Sequence, residues 1–181
     1  VRMKLLNGRL AAMAGFVEQG ESVADIGADH GYLPLCLLRE GVSPFAILTD
    51  AEPGPLERAR ESVERACGAS SSMPPHVEQI DLRQGDGLKP LTEGEVDVVV
   101  IAGMGGETIS GILMADMAKA RSFRKYILQP RTKTDMLRGW LAGAGWTVLA
   151  EVAGEEKGRM CDIIVCQPDA VTMMDGVRDY D

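Results

Sequence analysis

Along the chain, short apolar, β-branched runs alternate with longer segments in which apolar residues recur every three or four positions. The first pattern is that of strands buried on both faces of a parallel sheet, the second that of the helices covering it. Residues 5–17 carry Leu6, Leu10, Met13 and Val17 at helical spacing, which predicts an amphipathic helix ahead of the first strand. Strands are then expected at 22–26, 45–49, 80–84, 96–102 and 126–129. Helices are expected after Gly31 with Pro34 in the first turn, over about 55–67, over about 107–117 and over 132–142. Residues 68–75 read as loop by composition. Two last runs, 147–152 and 162–166, are close in sequence with a glycine-bearing connection at 154–158, which suits an antiparallel pair at the sheet edge. The expected fold is α/β: a seven-stranded, mostly parallel sheet with helices on both faces and an antiparallel terminal hairpin. It should form one domain over 1–167, followed by a polar tail at 168–181.

Composition narrows the function classes. A chain of 181 residues with 45% hydrophobic content is long enough for one well-buried core. The apolar runs are far shorter than a membrane span requires, and the N-terminal stretch, interrupted by Lys4, Arg9 and Glu18, lacks the apolar centre of a secretory signal. A cytoplasmic protein without a membrane partner is expected. Cys36, Cys67, Cys161 and Cys166 form no metal or redox spacing, and His30 and His76 stand far apart, so no metal site and no Ser/His/Asp hydrolase order is expected. The net charge of −8 argues against a nucleic acid held by this chain through phosphate neutralisation alone.

Candidate chemistry gathers at four successive strand ends. These are Asp25-Ile26-Gly27-Ala28-Asp29-His30-Gly31, then Asp50, then Gly85-Asp86-Gly87, then Gly103-Met104-Gly105-Gly106. In a doubly wound sheet these loops converge on the carboxyl edge, where ligands bind. Glycines let the backbone turn sharply, a helix N-terminus offers free amides, and an acid ending the second strand is placed to accept from ribose hydroxyls. Singly, each is an ordinary turn; in this order they indicate a nucleoside-type cofactor. Asp25 lies inside the end of its strand, no G-x-G-x-x-G is completed, and the terminal hairpin is foreign to a plain dinucleotide fold. Together these favour S-adenosylmethionine over a nicotinamide.

With these motifs the chain resembles the bacterial TrmK family, Rossmann-like class I methyltransferases that modify N1 of adenine 22 in tRNA. The resemblance rests on Leu6-Asn7-Gly8-Arg9-Leu10, Ala24 to Pro34, Asp50 with Gly54-Pro55-Leu56, Gly85-Asp86-Gly87-Leu88, Ile101 to Gly106, Leu128-Gln129-Pro130 and the stretch 151–164. It implies that Asp25, Gly27 and Gly31 shape the pocket for the methionine end of S-adenosyl-L-methionine, with Asp29 and His30 also among the cofactor-binding residues. Asp50 would hold the ribose, Asp86 and Gly87 would flank the adenine, and Gly103, Met104, Gly105 and Gly106 would wall the transferable methyl. That last loop stands where enzymes acting on exocyclic amines carry an Asn/Asp-Pro-Pro-aromatic signature, which favours attack by a ring nitrogen. Asp29 is the candidate catalytic residue, accepting from the adenine N6 amino group, with helix capping as its other reading. Arg9 and Tyr32 are candidate substrate contacts, Tyr32 by stacking on an extruded base; the other readings are an intramolecular ion pair for Arg9 and a core position for Tyr32. His30 reads as a structural hydrogen-bonding partner.

Family members usually continue past the closing strand into a helical extension that helps hold tRNA, and the tail at 168–181 reads either as the start of such a segment or as the end of a shortened branch with a different RNA grip. With the acidic balance, tRNA is expected to bind weakly or to depend on that extension. Arg131 and Cys161 stand at atypical positions. Two alternatives remain: a methyltransferase for another RNA or a small molecule, and a cofactor-binding module without turnover.

Overall fold

The computed structural model describes residues 6, 8–28, 30–68 and 79–170. Asp29 and the predicted 68–75 loop, apart from Gly68, lie outside them, as does most of the polar tail. Seven strands form one sheet: β1 (Val23–Ile26), β2 (Ala46–Asp50), β3 (Ile80–Gln84), β4 (Val98–Met104), β5 (Lys125–Pro130), β6 (Trp146–Glu156) and β7 (Arg159–Pro168). Their order across the sheet is β3-β2-β1-β4-β5-β7-β6. The first five run parallel, and β7 enters antiparallel between β5 and β6.

The two faces follow from the strand period of two. Ala24, Ile26, Val99, Ile101, Tyr126 and Leu128 point to one face and pack against α4 (Gly106–Ala115), α5 (Met117–Ser122) and α6 (Thr134–Gly143). Val23, Val98, Val100 and Ile127 point to the other, under α1 (Gly8–Ala14) and α2 (Tyr32–Arg39), while Ala46 and Leu48 meet α2 and α3 (Pro53–Gly68). Asp25 and Gln129 fall on the α1 face by the same alternation. Chain direction across the sheet reverses between β1 and β4, the place where such sheets leave a crevice at their carboxyl edge.

Several elements differ from the sequence pattern. The closing strands run through the expected connection to a two-residue turn, Lys157-Gly158, where both residues have positive φ (50° and 75°), and Glu156 pairs with Arg159. Such a turn matches the twist of the strands it joins, so the hairpin projects past β5, which pairs with β7 only from Ile164 to Cys166. The apolar period shows none of this, because most of the projecting residues face solvent. β4 begins later than expected and continues to Met104, which pairs with Pro130 after a register shift. A separate α5, capped by the Asp116 side chain accepting from the Lys119 amide at 3.0 Å, follows α4. No helix among the described residues is long and apolar enough to cross a membrane.

Candidate active site

A cavity of about 760 Å³ opens between the carboxyl ends of β1 and β4, the start of α2, α1 and the hairpin turn. Its lining includes Asp25, Gly27, Gly31, Tyr32, Arg9 and Arg131. The β1–α2 turn is held to the sheet by the Gly27 and Ala28 amides, which both donate to the Thr49 carbonyl at 2.8 and 3.1 Å. Gly27 and Gly31 sit at φ 72° and 65°, so the chain turns back within five residues and Gly31 becomes the N-cap of α2.

Electrostatics concentrate on Asp25, which is 8% exposed. Burial pushes its carboxyl up to about 7, against the pull of the nearby Arg9 guanidinium and with a further push from Asp50. Arg9 descends from α1 with its side chain 18% exposed; Nε meets Glu156 Oε1 at 3.0 Å and Nη1 donates to Gln129 Oε1 at 2.6 Å. At the rim, the rings of His30 and Tyr32 stack 5.2 Å apart with 12° between planes, and Tyr32 is 53% exposed.

The loop after β4 is built into the next crossover. The Gly106 amide donates to the Thr132 carbonyl at 2.8 Å, and a Cβ at Gly106 would stand 2.5 Å from the Lys133 carbonyl oxygen, so no other residue fits without moving backbone. Met104 reaches back over the first turn, its Cε 2.4 Å from where a Cβ of Gly27 would be. Beyond the β3 end, Asp86 and Gly87 line a second cavity of about 390 Å³ against α4, and Asp86 pairs with Lys89 at 2.9 Å. Asp50 ends β2 with Oδ1 accepting from the Glu52 amide at 3.0 Å.

Residues 6–164 match the family described as a methyltransferase domain. A tRNA (adenine(22)-N(1))-methyltransferase of Bacillus subtilis is 35% identical over 173 residues, 95% of this chain and 69% of the relative. The crystal structure of the B. subtilis M1A22 tRNA methyltransferase TrmK superposes with a TM-score of 0.79 at 32% identity, covering 91% of this chain and 68% of that one. The chain belongs to the TrmK family. A Streptococcus pneumoniae candidate tRNA (m1A22) methyltransferase, solved in complex with S-adenosyl-L-methionine, has a TM-score of 0.80 at 37% identity over 89% of this chain and 72% of that chain.

Against the TrmK resemblance, the structure brings Asp25, Gly27, His30, Gly31, Arg9 and Tyr32 to one cavity. Asp50 stands close enough to Asp25 for its charge to be felt. Gly103 lies within reach of the same group, a Cβ there being 3.7 Å from Arg9 Nη1. Asp86 and Gly87 are on the second cavity instead. Tyr32 is no core residue. Arg9 makes an intramolecular ion pair and lines the cavity at once, so its two readings do not exclude each other. Sequence reasoning missed the part played by Gln129, Glu156 and Lys157. Gln129 and the hairpin were both in the matched stretches, but neither carries a spacing signal toward Arg9, some 120 positions from Gln129. Among the described residues no cluster fit to hold a metal ion occurs.

Proposed function

We propose that this protein transfers the methyl group of S-adenosyl-L-methionine to N1 of adenine in tRNA, at position 22, as the named TrmK relatives do. One observation carries the reading. The glycine turn after β1, a carboxyl buried beside it and an arginine from α1 meet in one cavity at the crevice between β1 and β4. That donor set fits the cofactor. A buried carboxylate suits the cationic methionine end, and the turn leaves backbone room beside it. When bound, S-adenosyl-L-methionine supplies an electrophilic methyl on a sulfonium.

The protein's own work is then alignment. Adenine N1 carries an in-plane lone pair and needs no base to remove a proton, so closeness and direction lower the barrier. Asp25, Gly27, His30 and Gly31 shape the methionine end, Asp50 holds the ribose, and the backbone from Gly103 to Gly106, with Met104, walls the reacting side. For Asp86 and Gly87, the adenine assignment is carried by resemblance alone. Tyr32, exposed and already stacked on His30, offers a face to an extruded base. Asp29, between the cavity residues Ala28 and His30 in the chain, accepts from the adenine N6 amino group as the ring gains positive charge. A tRNA substrate implies a cytoplasmic enzyme, with residues 1–167 as the methyltransferase domain.

The test is methyl transfer from S-adenosyl-L-methionine to unmodified bacterial tRNA, with product nucleosides identified by mass. The expected product is 1-methyladenosine at position 22, lost in Asp29→Ala. A methyl on another base or position, or none on tRNA while the cofactor still binds, overturns the reading.

A further inference from the structure

Gln129 closes a polar junction that none of the roles above uses. It is 1% exposed near the end of β5, on the face covered by α1. A primary amide there has no water to satisfy it, so its donors and acceptors must find partners within the protein. Oε1 accepts from Arg9 Nη1 at 2.6 Å and from the Gly103 amide at 3.1 Å, while Nε2 donates to the Pro130 carbonyl at 2.9 Å. Both partners of Oε1 are donors. A flipped amide would set its own hydrogens against them, so the network allows one orientation.

This arrangement joins two parts of the cavity. The Gly103 amide opens the loop on the reacting side, and the Arg9 guanidinium arrives from α1 with its Nε already bound to Glu156 at 3.0 Å. Arg9 is thereby tied to Gln129 by a hydrogen bond and to Glu156 by an ion pair, on a side chain that lines the cavity. We propose that Gln129 is a positioning residue, which fixes the Arg9 guanidinium and the β4 loop in one mutual arrangement so that base and methyl donor meet in line. Gln129 itself touches neither. The proposal rests on reading this cavity as the methyl-transfer site.

Gln129→Met keeps the length and removes both acceptor bonds; Gln129→Glu restores an acceptor for Arg9 and Gly103. Gln129→Met is expected to lower kcat on tRNA at least tenfold while the Kd for S-adenosyl-L-methionine stays within twofold, and Gln129→Glu is expected to recover part of that loss. Because Gln129 acts in part through Arg9, the double variant Arg9→Ala/Gln129→Met should lose less than the product of the two single losses. Losses that multiply overturn the proposal, as does a Gln129→Met protein that melts earlier but turns over like the parent. A readout independent of activity separates this from the function itself: the Arg9 Nη signals of the ¹⁵N-labelled protein should be distinct in the parent and averaged in Gln129→Met. If the parent methylates no tRNA, that failure belongs to the proposed function, and the Arg9 signals still decide for or against Gln129.

Discussion

Burial disfavours the ionised form of Asp25, and the neighbouring Asp50 disfavours it further, while Arg9 opposes both. The folded carboxyl titrates at about 7 against an ordinary 3.8, so the native state holds a proton that the unfolded chain has released over that window. The associated stability is complete below about 3.8 and is lost as pH rises through about 7. Asp25→Asn has no such dependence. Its stability relative to the parent should therefore rise between pH 4 and 8, by on the order of 4 kcal/mol without ligand. Urea unfolding of both proteins across that range checks it; a difference that ignores pH would mean that Asp25 is not protonated in the native state. On the proposed assignment of Asp25 to the cationic methionine end, which selects the carboxylate, cofactor affinity in the parent is expected to rise with pH. Asp25 was legible in the sequence because an acid inside a strand end before a glycine turn is a local pattern. Gln129 was not, because its meaning lies in two donors brought to it from α1 and β4.

At the scale of elements, the strands and their sequence order were readable from β-branched runs, and the loops from glycine and aspartate. What escaped was extent. Projecting residues of β6 and β7 alternate between solvent and α1 rather than between solvent and the sheet core, so their apolar signal is thin. α1 depends on this projection. At Gly154 a Cβ would stand 2.9 Å from Ile163 Cδ1, closer than real side chains come, and 3.0 Å from the Arg9 Cα, tighter than nearly all real contacts. The Ile163 methyl can move, but the α1 backbone must shift to make room. Gly154→Ala is thus expected to push α1 off the hairpin, weaken the Arg9–Glu156 pair and slow methyl transfer several-fold, with a destabilisation of about 1–3 kcal/mol. Thermal unfolding and kcat measured together test it. Unchanged kinetics with a lowered Tm would show that Arg9 does not depend on this contact.

For the whole molecule, a net charge of −8 opposes any approach of tRNA, and the cavity lining carries both signs, Arg9, Arg131 and Lys157 beside Asp25, Glu155 and Glu156. Arg131 and Lys157 are both exposed and, among the described residues, have no ion-pair partner, whereas Lys133 nearby is tied to Glu107 and Arg138 to Glu151. They enter from different loops, one after β5 and one at the hairpin turn, and both line the cavity, so these two are the expected phosphate contacts of a nucleotide bound there. Two phosphate contacts release few counterions. For this chain the slope of log K for tRNA against log salt should therefore be shallow, roughly −1 to −2, at about 0.7 per phosphate on a single strand. Filter binding from low to moderate salt measures that slope, and Arg131→Glu with Lys157→Glu should bring it toward zero while cofactor affinity holds. A slope several times steeper, unchanged by both substitutions, would place the grip on tRNA outside this cavity and leave its rim to orient the base.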